Sequence, residues 1–339
     1  MYFNSFQNLT DNLKNSSSIQ SFPINKELKT LLSLRGALQA QLFEKARRVR
    51  HLSGMDFCLL RGVIEVTNYC QKNCSYCAMR ASNRSLLRYR MGLDEILEVA
   101  GRIVDAGITV VFLQGGQEPK IDAVVTEAVA EIKKRYGCSV ILCLGEKKPE
   151  IYRKFYSSGA DAYILKFETS DPRLYRTITN SNLGNRLRCI RQLRDIGFKV
   201  GVGNIIGLPD QTPDSVWEDI VLSRKIGPDY VSCAPFIPNQ GVPLENLPYG
   251  DLDTALNWMA ICRILLRTCL IPSVSALEKI KLGAQLRGLN AGANVMTINF
   301  TPPQYRVRYS IYSKQRFIVS LDHALNTARS AGLKIILDK

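Results

Sequence analysis

Histidine is almost absent. The 339 residues contain two, His51 and His323, and neither ends a β-type run, so ordinary hydrolysis by a positioned imidazole has little material to work with. No apolar run approaches the roughly 18 residues that a membrane-spanning helix requires. The opening MYFNSFQNLTDNLKNSSSIQ lacks the cationic start and continuous apolar stretch of a signal peptide. Residues 1–25 therefore read as a loose polar leader, and the chain is expected in the cytoplasm. A Gly-rich phosphate turn after the first β-type run is also missing, which disfavours a doubly wound open sheet. Low-complexity blocks and short repeats are absent.

What is present is the composition of a globular protein, with 46% hydrophobic and 22% charged residues,. The formal charge of +15 invites a nucleic-acid reading. Yet Lys and Arg are spread along the whole chain, and their densest runs fall in helical patterns, where solvated faces account for them. Nucleic acid is therefore not the expected partner; an acidic small molecule or an anionic protein fits as well. Of ten cysteines, Cys58, Cys138, Cys143, Cys189, Cys262 and Cys269 stand in apolar surroundings, where Cys usually behaves as a small buried hydrophobe.

After the leader, residues 26–51 carry apolar residues at helical spacing. From residue 52 on, β-type runs alternate with amphipathic helical stretches. The β-type runs span 61–69, 108–116, 138–146, 161–169, 198–208, 228–238, 270–277 and 293–300. Several of the intervening helical patterns end in Gly. Eight nearly continuous apolar runs separated by helices predict a parallel sheet closed into a (β/α)8 TIM-type barrel with an N-terminal helical extension. In such barrels chemistry sits at the C-terminal ends of the strands. Here those ends gather the chemically unusual residues of the sequence.

The first such segment is NYCQKNCSYCAMR, which spaces Cys70, Cys74 and Cys77 as C-x3-C-x2-C. Thiolates so spaced can converge on zinc or on an iron–sulfur cluster. A structural zinc site takes four ligands, and no further Cys or His lies nearby. Three thiolates and one vacancy suit a [4Fe–4S] cluster with an open iron.

On these residues the chain resembles the radical S-adenosylmethionine (SAM) enzymes. The resemblance implies that the open iron binds the methionine moiety of SAM and that reductive cleavage yields a 5′-deoxyadenosyl radical. It also implies that Tyr76 lies against adenine, and that Gly115 and Gly116 of LQGGQEP meet the methionine amino group. Gln117 stands where an acidic residue is more usual. Glu168 matches a ligand-contacting carboxylate, Arg186 an arginine for the methionine carboxylate, and Ile206, in GNIIGLP, an adenine-packing residue.

Within that family the chain resembles the group of biotin synthase, methylornithine synthase and the [FeFe]-hydrogenase maturase HydE, the last above all. RGVIEVTNYCQKNCSYCAMR, RYRMGLDEIL, LCLGE, FETSDPRLYR, PFIPNQGVPL, AGANVMTINFTP and YRVRYSIY carry the likeness. It implies a substrate pocket including Lys166, Ser275, Tyr305 and Tyr309, a small anionic or organometallic substrate, an electron donor such as ferredoxin or flavodoxin, and a maturation partner protein. Lys166 replaces an expected Arg, and Val274 an expected Thr. The strand positions that hold the second cluster of biotin synthase are here Phe112, Ile141 and Gly201, which disfavours sulfur insertion by that route; a lipoyl-type sulfur insertion and a carbon-skeleton rearrangement of the methylornithine type are further alternatives. A rival of another class is a nonenzymatic iron–sulfur carrier, which would need the triad but not Glu168, Arg186 or the Gly-rich segment.

Overall fold

The computed structural model describes residues 26–313 and 315–337; the expected leader lies outside them. Strands β1 (Phe57–Thr67), β2 (Val110–Gly115), β3 (Ser139–Cys143), β4 (Ala162–Ile164), β5 (Lys199–Ile206), β6 (Tyr230–Pro235) and β7 (Val295–Asn299) run in the order β6-β5-β4-β3-β2-β1-β7. Every pairing between them is parallel. A short β8 (Lys334–Ile336), not anticipated from the sequence, adds to the first residues of β1.

The run at 270–277 does not form a full strand. Leu270 bridges Tyr230 and Pro272 bridges Val295, so single contacts span the gap between β6 and β7 and close the barrel. Pro272 has no N–H to give to a ladder, and a helix begins at Ser275.

The expected single helix over 26–51 is divided. Lys26–Lys29 is helical, Thr30–Ser33 tightens to a 3-10 turn, and a long helix resumes over Gly36–Leu52. The break falls where the Asn257 amide takes the carbonyls of Leu32 and Leu34, each at 3.0 Å, so a tertiary contact overrides local helical preference.

Helices cover the outside of the sheet, and their capping fits the chain between them. Asn182 opens the helix Leu183–Ile196 by accepting from Gly184 N at 2.7 Å,. The same helix ends at Gly197, whose φ of 115° suits glycine,. The main core lies between helices and sheet. A second, smaller one fills the lower barrel interior with Val63, Val110, Phe112, Ile141, Ile164 and Tyr230. Above this plug the barrel opens at the strands' C-terminal ends. Among the described residues no helix is long and apolar enough to cross a membrane.

Candidate active site at the barrel mouth

β1 hands the chain to the cysteine loop through Asn68, fully buried, whose amide bonds the carbonyls of Leu87 and Arg308 at 2.8 Å each. The loop is then gripped by Arg88. Its guanidinium donates to the carbonyls of Asn68 (2.6 Å), Met79 (2.8 Å), Arg80 (2.7 Å) and Asn83 (3.0 Å). On the other side, the Ser75 N–H and hydroxyl both donate to Ile178 O, at 2.7 and 3.1 Å. A loop with few helical or sheet bonds is thereby fixed by side chains.

Cys70, Cys74 and Cys77 are half-buried free thiols. They lie near enough for the Cys77 thiol to feel both others. Burial first, then Cys70, pushes the Cys74 thiol up to about 11, while nearby Arg186 opposes the rise; burial, then Cys74 and Cys70, push Cys77 higher still. Among the described residues no three His, Cys, Asp or Glu are drawn in tightly enough for a single metal ion. A four-iron cube, with its ligands on separate corners, spaces its sulfurs more widely than one ion does, and this loop offers it three thiols and no fourth ligand.

β2 ends beside this loop because its glycines permit it. A Cβ on Gly116 would collide with the Tyr69 carbonyl oxygen and stand 2.8 Å from Cys70 Cβ,. Gln117 is occupied: its carbonyl receives Gln71 N–H at 2.9 Å and its Oε1 receives Glu146 N–H at 3.0 Å. It therefore ties the second and third strand ends to the cysteine loop.

Next along the mouth stands a chain of charges. Lys72 Nζ is 2.9 Å from Glu146 Oε2, and Glu146 Oε1 is 2.9 Å from Arg186 Nε. Lys166 Nζ is 3.0 Å from Glu168 Oε2. Burial opposes the charge of Arg186, but Tyr175, Glu146 and Glu168 outweigh it and hold the guanidinium firmly charged. Burial likewise opposes the charge of Glu146, yet Arg186 and Lys72 bring its carboxyl below the ordinary range. The contacts at Glu146 Oε1 and Glu168 Oε2 are not aligned as hydrogen bonds, so both buried oxygens lack a bonded donor. Glu168 also holds a left-handed backbone, φ 63°, a conformation costly for a residue with a Cβ. Such a strained residue with unspent lone pairs fits a ligand-facing role.

Tyr76 packs against Leu174, Ile178, Ile205, Leu208 and Phe236, and Asn239 holds its carbonyl at 3.0 Å. Here strand alternation matters. Ile206 points to the main core between sheet and helices, and Ile205 is the β5 side chain on the Tyr76 face.

Beneath these groups lies a cavity of about 170 Å3. Lys166 and Ser275 line it, with Arg61, Cys143, Tyr312 and Arg316 among the others. Tyr309 stands behind that lining and accepts from Gln114, itself a lining residue, at 3.2 Å. Tyr305 is not in the lining: it stacks on Tyr89 at 4.7 Å and donates to Glu95 on the barrel's outer helix Leu93–Asp105. Arg316 lies in no motif of the sequence, and Arg61, Glu65 and Tyr312, although within RGVIEVTNY and YRVRYSIY, are not singled out there, since only the fold turns them into one cavity.

The Radical SAM superfamily model matches residues 64–222. The [FeFe] hydrogenase maturase subunit HydE of Thermotoga maritima is 38% identical over 301 residues, 88% of this chain and 86% of that protein. A 3-methylornithine synthase of Methanosarcina barkeri is 29% identical, covering 82% and 80%. The crystal structure of methylornithine synthase superposes with a TM-score of 0.83 at 24% identity over 97% of each chain, which shows the fold. The barrel with its three-thiol loop is that of a radical enzyme using a [4Fe–4S] cluster and SAM, and the chain belongs to the radical SAM superfamily. Within it, the relatives at hand are HydE, methylornithine synthases and biotin synthases, all enzymes.

Proposed function

We propose that Cys70, Cys74 and Cys77 hold the cluster, leaving one iron for SAM, and that residues 52–339 form the catalytic unit. When bound, the cluster supplies the electron that cleaves SAM to a 5′-deoxyadenosyl radical. The chain's residues do the rest. The backbone of Gly115 and Gly116 faces the methionine amino group, Arg186 faces its carboxylate, and the unspent oxygen of Glu168 accepts from a ligand hydroxyl or ammonium group. Tyr76 with Ile205 offers adenine an apolar wall. Closed barrel walls keep water from the reacting carbon.

The substrate is a small anion, organic or organometallic, and the role is HydE-like cofactor maturation. The observation that carries this reading is the cavity's charge. Among the described residues Arg61, Lys166 and Arg316 line it; Arg316 is spent on Glu65 and Lys166 pairs with Glu168, so the cationic charge left over for a ligand is that of Arg61, whose buried Nη1 has no partner. The 38% likeness to HydE supports the same assignment. A ferredoxin- or flavodoxin-type donor in the cytoplasm would provide the electron, and a maturation partner protein would receive the product.

The test is anaerobic reconstitution with iron and sulfide, reduction, and product analysis with SAM. Formation of 5′-deoxyadenosine and methionine, lost in Cys74→Ala together with the cluster's visible absorbance, is expected. Normal absorbance in that variant would overturn the ligand assignment. Genuine HydE-like function predicts rescue of hydrogenase maturation in cells lacking their own HydE; failure of rescue by an active enzyme would reject that role.

A further inference from the structure

Among the described residues Cys143 is the one sulfur in the cavity lining. It ends β3, paired in register with Gln114 on β2, one residue before Gly115. The thiol thus stands at the level where the strand ends that face the cysteine loop give way to the cavity below. It rests on the apolar plug, half-buried. The charged groups around it are Lys166, Glu168, Arg186 and Arg61. Arg61 is a second, independent sign that something binds beside the thiol. It is 5% exposed and lies 4.6 Å over the Phe112 ring; its Nε is spent on Thr297 at 2.8 Å, and its buried Nη1 has no partner. A buried unpaired guanidinium nitrogen is costly, and an anionic ligand in the cavity would satisfy it.

We propose that Cys143 is the cavity's hydrogen-atom donor, delivering its S–H hydrogen to a carbon radical held above Arg61. This rests on the radical reading given above. The step is neutral: carbon radical plus Cys143 thiol gives a C–H bond and a Cys143 thiyl radical. The thiyl then takes one electron from the protein donor that also reduces the cluster, and one proton from solvent, to restore the thiol. An S–H bond is weaker than the C–H bond formed at a primary carbon, so transfer runs downhill. Burial keeps the sulfur protonated, its thiol pushed up to about 11, as a hydrogen-atom donor must be. Lys166 and Arg61 favour the return electron by stabilising the thiolate through which the thiyl is reduced.

SAM alone serves as the probe, since without substrate the 5′-carbon takes its hydrogen from the cavity. Holoenzyme is reduced in D2O, where S–H exchanges and carbon-bound hydrogen does not, and the 5′-deoxyadenosine is analysed by mass. Wild type is expected to give mainly singly deuterated product. Cys143→Ser and Cys143→Ala are expected to lose at least five-fold of that label while retaining cluster absorbance. Deuterium persisting in both variants, or absent from wild-type product, overturns the proposal. No 5′-deoxyadenosine from any form would instead defeat the radical reading itself. Independently of turnover, maleimide labelling of Cys143 in the unreduced holoenzyme, mapped by mass, is expected to slow at least three-fold when SAM is added; unchanged labelling would place the thiol away from the ligand and reject the donor role.

Discussion

Arg316 grips Glu65 fork to fork: Nη2 lies 2.6 Å from Oε2 and Nη1 pairs with Oε1, joining positions 251 residues apart. Both side chains are nearly excluded from water, 7% and 2% exposed. The pair fastens the C-terminal segment to β1 and cancels a carboxylate that would otherwise repel anions in the cavity.

Breaking one side of that pair strands a buried charge. Arg316→Ala is expected to lower unfolding stability by about 3–5 kcal/mol. The double variant Glu65→Gln/Arg316→Met should lose markedly less, because neither charge is then left alone. Denaturant titration of the three forms checks this. Equal losses in the single and double variants would show that packing, and not the ion pair, dominates.

Arg88 holds four loop carbonyls from one planar group. Lysine presents a single ammonium and cannot span them. Arg88→Lys should therefore incorporate several-fold less iron and sulfide after reconstitution, with unchanged far-ultraviolet circular dichroism. Full incorporation would mean that the loop orders itself without this grip.

Gly116→Ala tests the close approach of the second strand end to the cysteine loop. The added methyl meets the Tyr69 carbonyl and Cys70 Cβ, backbone atoms and a loop anchor that cannot swing aside. Cluster loading should fall and SAM binding should weaken at least ten-fold, measured by equilibrium binding to whatever loaded fraction remains. Wild-type affinity would contradict the geometry.

Asp219 supplies a pH signature directly behind the strand ends that carry Glu168 and Ile205. It is fully buried, accepts from Ser170 N at 2.6 Å and Asn204 Nδ2 at 2.8 Å, and burial raises its carboxyl to about 6 despite those bonds. The folded protein therefore binds this proton more tightly than the unfolded chain, whose carboxyl titrates near 4. Its contribution is greatest below about pH 4, falls as pH rises through about 6, and is then constant; the span is about 3 kcal/mol. Subtracting the Tm–pH profile of Asp219→Asn from that of wild type should leave a curve that declines between pH 4 and 6. A flat difference would refute the shift.

The cysteine triad, the glycines of the second strand end and Glu168 stand out in the sequence because each sits in a short motif at a strand end, while Arg186 lies in the first turn of the helix Leu183–Ile196. Arg61 and Arg316 do not stand out, since their meaning lies in contacts with residues 236 and 251 positions away. Ile205 was hidden by a single step of alternation, which turns a neighbouring side chain to the opposite face. The run at 270–277 looked like a strand by its apolar residues, but Pro272 and the helix starting at Ser275 limit it to two bridges. Tyr305 matched a motif, yet its hydroxyl serves Glu95 on an outer helix, a use that aromatic spacing does not reveal. The break in the N-terminal helix depended on Asn257, more than 220 positions downstream.

The apolar plug in the lower barrel, Val63 to Tyr230, governs traffic. Among the described residues the floor is filled, which leaves the rim as the way in, past the ledge proposed for SAM. With SAM seated as proposed, whatever is transformed below would arrive before that ledge is covered, and its product would wait until the spent nucleoside departs. That placement would make order of arrival and departure a consequence of architecture.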